Sequence, residues 1–455
     1  MRKRGILGAA LAVLVILVMA GSWKRADGSS DAQAAAVPVW AQGIKDNTSY
    51  YGIRTFRGLS DSSGGYLAVG DSGSEYFSSL DAWAVHLDKT GKILNQMIYG
   101  GKTHERLISI CESADTGYLV AGRTQFDPVG EQGGYGLLMK LGADLNPIWA
   151  KTISASRTEN WIERVLKLNK AQGYLAIMPF KESNCYPTAL VRLNSSGSVV
   201  WAFKLGDANL SFDIREVFQA PDGGIFLAGS VHTLLEYDAV IVRIDGNGNF
   251  KWAKTFGGAG ANSSERIESA YLTSSNNLMV FGASGGTGLA LKLDLNGNVK
   301  WQYLYQGSLQ NPGGVRYGIP GEGGGFYFVG TDSLNDTEIN FVKCDSTGRI
   351  LSKKAYRAFS GSTLHEWMSH AFRSSDGGIF ILNEYVFPSD VVIAKLNSIG
   401  NLPQKCPPIS WNVTRSKTKY KLIDISVPYA SVKVTVKSTT ISARNVSFAA
   451  SDACD

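Results

Sequence analysis

Trp252-Ala253-Lys254-Thr255-Phe256-Gly257-Gly258 and Trp149-Ala150-Lys151-Thr152 are two copies of one strand, and the step between such copies decides the fold. The same slot holds Trp40, Asn95, Trp149, Trp201, Trp252, Trp301, Ser352 and Gln404, at spacings of 55, 54, 52, 51, 49, 51 and 52 residues. A period in this range marks a propeller, a solenoid or an array. Eight markers bound seven units.

Each unit reads the same way. From Trp201 onward come Trp201-Ala202-Phe203-Lys204, a run through Arg215-Glu216-Val217-Phe218, the turn Pro221-Asp222-Gly223-Gly224 and then Ile225-Phe226-Leu227-Ala228. Asp238-Ala239-Val240-Ile241-Val242-Arg243-Ile244 and a second turn, Asp245-Gly246-Asn247-Gly248, lead into the next Trp strand. These are four short apolar or alternating runs separated by turn residues, the pattern of consecutive antiparallel strands. Both turns recur at fixed slots with Gly or Asn, residues that tolerate φ > 0. Asn276-Asn277 fills the first slot in the fifth unit, and Asp144-Leu145 with Pro147 departs from the second.

The expected fold is therefore all-β, a seven-bladed β-propeller of four-stranded blades over residues 35–407. The last unit has a weak fourth slot near Leu402-Pro403, because proline cannot donate to a ladder. The strand at 38–44 has no complete unit before it. It is expected to supply that missing strand and close the ring.

Met1-Arg2-Lys3-Arg4 precedes an apolar run from Ile6 to Ala20, which reads as a signal peptide or N-terminal anchor within residues 1–34. The protein is then expected to be secreted, periplasmic or at the cell surface. Any membrane contact would run through residues 6–20 if they stay uncleaved. Residues 408–455 break the period. They are rich in Ser, Thr, Val and Lys and are expected to form a small β-type tail, either as two or three packed strands or as a loose extension.

The formal charge of +6 is concentrated at the two ends, so the propeller body is near neutral. That gives no electrostatic case for nucleic acid. Of five cysteines, Cys406 and Cys454 bracket the tail and are expected to pair. Cys344 takes the strand position of a Leu or Ile and reads as a small buried hydrophobe, whereas Cys111 and Cys185 suggest no pairing.

The combination of Trp-x-Lys-Thr-Phe-Gly-Gly, Asp-Gly-Gly and Asp-x-Asn-Gly-Asn resembles the secreted bacterial β-propeller repeat proteins of largely unassigned function. The likeness covers about residues 38–404. It implies the fold and brings no site residues with it. Quinoprotein dehydrogenases are more distant: Asp245 to Trp252 is one residue shorter than their repeat, and no adjacent cysteine pair is present.

No catalytic motif stands out. His365-Glu366-Trp367-Met368-Ser369-His370 spaces its histidines five apart, whereas a helical zinc motif needs four. Asp245-Gly246-Asn247-Gly248-Asn249 lacks the Glu of a calcium loop and reads as a hairpin turn. No metal or cofactor is expected. What recurs is charge near the innermost strand of each unit: Arg54, Glu105 and Arg106, Arg164, Arg215, Arg266, Arg316 and Glu366. These are expected at a channel mouth, as blade-to-blade ion pairs or as a surface for a protein or glycan bearing carboxylate or phosphate. The expected function is a non-catalytic binding or scaffold module. The alternative is a hydrolase or lyase acting on a glycan or lactone in the central channel.

Overall fold

A computed structural model describes residues 38–45, 53–73, 80–100, 103–113, 115–126, 133–169, 173–232, 237–257, 265–284, 287–307, 317–331, 338–357, 366–385, 390–404, 406, 408, 413–418, 420–439, 441–446 and 449–452. It is a seven-bladed β-propeller. Blades 1 to 6 span residues 53–99, 104–154, 164–205, 211–257, 265–307 and 317–357, and each is a four-stranded antiparallel meander. Blade 7 takes three strands from 366–396 and its fourth from Trp40–Lys45. Trp40 pairs with Lys395 and Ile44 with Val391, so the N-terminal strand closes the ring as expected.

The core lies between blades. One apolar cluster joins Trp40, Phe380 and Ile393 of blade 7 to Tyr66, Trp83 and Val85 of blade 1. Another joins Leu175 and Ile177 of blade 3 to Phe212, Leu227 and Val242 of blade 4. A single blade of about fifty residues has too little interior to stand alone, so each is stable only against its neighbours.

The Trp repeat has a specific partner, which is the second turn of the following blade. That turn carries a positive-φ glycine, namely Gly91, Gly197, Gly248 or Gly297 in blades 1, 3, 4 and 5. A Cβ on Gly91 would lie 2.6 Å from the Trp40 ring, and one on Gly197 would lie 2.9 Å from Trp149. On Gly248 it would lie 2.6 Å from Phe203 and 3.1 Å from Trp201. The departures correspond too. Blade 1 has Asn95 instead of Trp, and the turn it faces has Leu145 at φ 66 instead of Gly. Asn95 there donates to the Asp144 carbonyl at 2.8 Å. At the other turn slot, Asn276 takes the positive φ, not Asn277.

Residues 413–452 differ from the expectation. They form six short strands, each added to the outer edge of a different blade. Val413–Lys417 pairs with blade 5, Lys421–Asp424 with blade 4 and Tyr429–Ser431 with blade 3. Thr435–Thr439 pairs with blade 2, Ala443–Asn445 with blade 1 and Ala449–Asp452 with the N-terminal strand in blade 7. The chain thus runs back around the circumference as a belt. Six blades become five-stranded, and blade 6 has four strands among the described residues. Edge strands with unpaired N–H and C=O groups are open to intermolecular pairing, and the belt covers them. Alternation in Val432-Lys433-Val434 shows a strand tendency but cannot show that each strand is only wide enough for one blade edge.

The two faces of the disc differ. Both turns of every blade lie on one face, hereafter the hairpin face. In five blades an acid of the first turn meets a basic side chain on the third strand: Asp61 with His86 at 2.6 Å, Glu322 with Lys343 at 3.5 Å, and Asp115, Asp222 and Asp376 with Lys140, Arg243 and Lys395. The opposite strand ends, with the described connections 155–163, 180–187 and 206–210, form the other face, hereafter the loop face. Asp245 accepts from Asn247 and Asn249 N–H groups at 3.0 and 2.9 Å, so this stretch is the hairpin turn read from its sequence.

Two glycines with similar φ separate the tryptophan contact from backbone strain. Gly64 has φ 85 and nothing within 4 Å of a Cβ, whereas Gly91 has φ 86 beneath Trp40. Gly64→Ala should cost about 1–2 kcal/mol from φ alone. Gly91→Ala should cost roughly 1–3 kcal/mol more from overpacking, read as the difference between their denaturation midpoints.

Candidate functional site

The innermost strands of blades 1, 2, 4, 5 and 7 each carry a register shift, at Thr55/Arg57, Leu107/Ser109, Ile214/Glu216, Ile267/Ser269 and Met368/His370. A bulge of this kind re-aims the next side chain. Arg164 and Tyr317 hold the matching register in blades 3 and 6, opposite Ile177 and Val329. The seven equivalent positions are therefore Arg57, Ser109, Arg164, Glu216, Ser269, Tyr317 and His370, one per blade at one level of the channel.

These side chains meet. Arg57 donates through Nη2 to both Glu216 carboxylate oxygens, at 2.9 and 2.7 Å, joining blades 1 and 4. The Tyr317 hydroxyl donates to Glu216 Oε1 at 2.8 Å. The Tyr317 and His370 rings meet edge to face at 5.4 Å, and the Gly58 N–H donates to His370 Nδ1 at 3.3 Å. Arg164 donates to the Glu163 carboxylate at 3.0 Å and to the Arg215 carbonyl at 2.6 Å. Ser109 accepts from Val165 N–H, and Ser269 both donates to and accepts from the Gly318 backbone.

Burial works against charge here, and partners reverse it for some groups. Glu163 is raised by burial, but Arg164, Arg215 and Arg57 outweigh that and leave it below the usual carboxylate range. Arg57 is opposed by burial and held protonated chiefly by Glu216. Tyr317 is pushed well above the usual phenol range, first by burial and then by Glu216. His370 is pushed well below 6.5 by burial, reinforced by Arg57 and Arg164, so it sits neutral.

Above this floor, towards the loop face, lie the arginines expected at the mouth. Arg54 and Arg106 share Asp71, with contacts of 2.7 and 2.5 Å. Their guanidiniums also lie 5.9 and 5.3 Å from the centre of the Phe56 ring. Arg215 pairs with Asp213 at 2.8 Å, and its side chain is 43 % exposed. Arg266 reaches Glu268 only at 3.8 Å and is 51 % exposed.

The structure places Arg54, Arg106 and Arg266 at one inner-strand position towards the mouth and Arg164 in the floor, with Arg215 between them, 3.9 Å from the Glu163 carboxylate that Arg164 also holds. Glu105 does not join either group: it is buried and accepts from the Thr124 hydroxyl at 2.8 Å. Arg316 lies outside the described residues, as does the Glu366 side chain. Sequence reading passed over Arg57, Asp71 and Tyr317 as site residues and weighed His370 only as a zinc ligand. Arg57, Glu216 and His370 follow a bulge, which is a property of strand pairing and leaves no mark in residue type.

No protein-family model matches the chain, and no curated protein matches it. Solved structures do match at low identity. A protein of unknown function from Bacteroides caccae is 12% identical, over 63% of this chain and 92% of that one, with a TM-score of 0.34. Sqt1 from Chaetomium thermophilum is 10% identical, over 78% and 99%, with a TM-score of 0.44. A mutant of NanB sialidase from Streptococcus pneumoniae is 10% identical, over 78% and 70%, with a TM-score of 0.42. At these values no function passes from them to this chain.

The neutral His370 has a pH consequence. A base whose folded pKa lies below its unfolded value of 6.5 leaves the unfolded chain holding more protons once pH falls below 6.5. Stability should then fall on acidification, by up to about 1.4 kcal/mol per pH unit from this residue. His370→Phe should flatten that part of the curve between pH 6.5 and 5, measured by denaturant unfolding at stepped pH. An unchanged slope would show that His370 is not held neutral.

Proposed function

We propose that this propeller is a secreted or envelope-anchored binding module that takes an acid-bearing protein or glycan at the loop-face mouth of its channel. The observation that carries this reading is the exposure of Arg215 and Arg266 above a floor whose charges are already engaged. Arg57, Glu216 and Tyr317 satisfy one another. They brace the mouth. A guanidinium offers planar paired donors suited to carboxylate and phosphate. Rigid inner strands hold these groups in place, which limits the ordering cost of binding.

The test uses full-length protein and polygalacturonate, a carboxylate glycan, with neutral dextran as control. A second arm uses capture from envelope extract. Arg215→Ala/Arg266→Ala should weaken polygalacturonate binding on the order of tenfold, or ~1.4 kcal/mol, and lose the captured partner. Equal retention by wild type and by the folded double variant in both arms would remove the arginine mouth from the proposal.

The same reading places the chain in an oxidising compartment, with Cys406 and Cys454 bridged. Cys111, Cys185 and Cys344 are free, and burial pushes both the Cys111 and the Cys344 thiols up to about 12. Cys406 is buried beside Ala41 in one cluster, and Ala449–Asp452 pairs with the strand that contains Ala41. Cys454 lies outside the described residues. Peptide mapping of unreduced protein should recover a Cys406–Cys454 cross-link, and a free Cys406 thiol would end this part of the proposal.

A further inference from the structure

The fourth strand of each blade begins at the hairpin face, and in four blades the residue before the Trp slot is an exposed aliphatic side chain. Leu94, Ile148, Val200 and Leu351 occupy this position in blades 1, 2, 3 and 6, between 49% and 59% exposed. In blade 7 the same position is Val39, half-buried. Blades 6, 7, 1, 2 and 3 are consecutive around the ring, so the five side chains form one arc. Blades 4 and 5 interrupt it with Lys251 and Lys300.

The belt leaves this arc bare in blades 7, 1, 2 and 3, and blade 6 has no belt strand among the described residues. The belt strands pair with the second half of the outer strands: Phe203–Leu205 in blade 3, Ala150–Ser154 in blade 2, Met97–Tyr99 in blade 1 and Gln42–Lys45 in blade 7. Every one of these lies beyond the Trp slot, towards the loop face. The edge-covering device stops short of the aliphatic residues, although covering them would remove apolar area from water. An exposed apolar arc that a fold leaves open at a repeated position marks a contact surface.

What covers it follows from where the chain enters. The first described residues, 38 and 39, lie at the start of blade 7's outer strand, on the same rim as the arc. Eighteen residues upstream, Ile6 to Ala20 is the longest apolar run in the sequence. A coil of seventeen residues, the number between Ala20 and residue 38, would span on the order of 23 Å. The apolar segment is thus tethered to the hairpin face, at the arc, and away from the arginine mouth.

We infer that the hairpin face rests on a lipid bilayer, with Ile6–Ala20 as the anchor and the arc of Val39, Leu94, Ile148, Val200 and Leu351 dipping into the interface. The inference rests on the envelope-anchored reading above. One lipid-inserted signal holds weakly, and a second contact makes attachment stable. Lys251 and Lys300 fit the same plane, since a lysine stem lies along apolar surface while its ammonium stays among headgroups. Aspartates of the adjoining turns, such as Asp88, Asp245 and Asp345, accept from their own turn's N–H groups, which fixes their carboxylates within the protein surface. Docked in this way, the protein points its loop-face mouth away from the membrane.

The experiment reconstitutes the full-length chain in phosphatidylcholine vesicles, with and without phosphatidylglycerol, and reads flotation and hydrogen exchange together. The expected result is co-flotation, with slowed exchange in turns 88–92, 142–146, 194–198 and 345–349 and unchanged exchange in strand ends of the loop face. Leu94→Ser/Ile148→Ser/Val200→Ser/Leu351→Ser should still float through its anchor but lose that protection. These side chains are exposed, so the variant keeps its core. Flotation without face-selective protection would overturn docking and leave the anchor standing. Failure to float would overturn both. Protection that grows with protein concentration in lipid-free micelles would assign the arc to a second copy of the chain instead.

Discussion

The structure depends on one contact repeated between blades: a large outer-strand side chain laid on a turn of the next blade that has no Cβ. Trp40 on Gly91, Trp149 on Gly197 and Trp201 with Phe203 on Gly248 are the clearest instances. The glycine is required twice over, by its positive φ and by the ring above it. The contact also supplies polar links, since Trp40 Nε1 donates to the Lys89 carbonyl and Tyr305 to the Gly348 carbonyl. Each blade is therefore held by the turn of its neighbour, and the ring is stable only when complete. Blade 1 shows the rule from the other side: Asn95 replaces the ring, and the opposite turn then accepts Leu145.

A ring assembled in this way must be closed, and the chain closes it twice. The N-terminal strand completes blade 7 next to the last repeat. The C-terminal belt then returns through blades 5, 4, 3, 2, 1 and 7 and ends on that same N-terminal strand. Opening the propeller at blade 7 would mean breaking two antiparallel ladders, one on each side of Trp40–Lys45. A bridge between Cys406 and Cys454 would add a third closure by limiting the freedom of the unfolded chain.

The channel shows how a rigid ring can hold charge. Burying Arg57 or Glu216 alone would cost several kcal/mol. Joined across blades 1 and 4, with Tyr317 donating to the same carboxylate, they are mutually satisfied. Because these groups come from different blades, they keep their geometry only in the closed ring. The mouth arginines inherit that rigidity, with Asp71 shared between Arg54 and Arg106 at the boundary of blades 1 and 2.

Period, blade number, turn positions and the closing strand were all legible in the sequence, because each leaves residue types at fixed spacing. The eight markers from Trp40 to Gln404 count the blades, and the weak slot at Pro403 shows where the ring closes. The arginines of the mouth were legible as a recurring charge, but not their separation into mouth and floor. In blades 1 and 4 bulges at Thr55/Arg57 and Ile214/Glu216 turn neighbouring side chains to different levels, whereas Arg164 holds the floor position without one. The belt was hidden for a related reason. Its strands are three to five residues long and pair with partners more than a hundred residues distant in most blades, so no local pattern records them. Sequence by itself determined what repeats, since a repeat is written in spacing. Tertiary structure decided which side chains meet across the axis and around the rim, since those encounters exist only once seven blades share one closed ring.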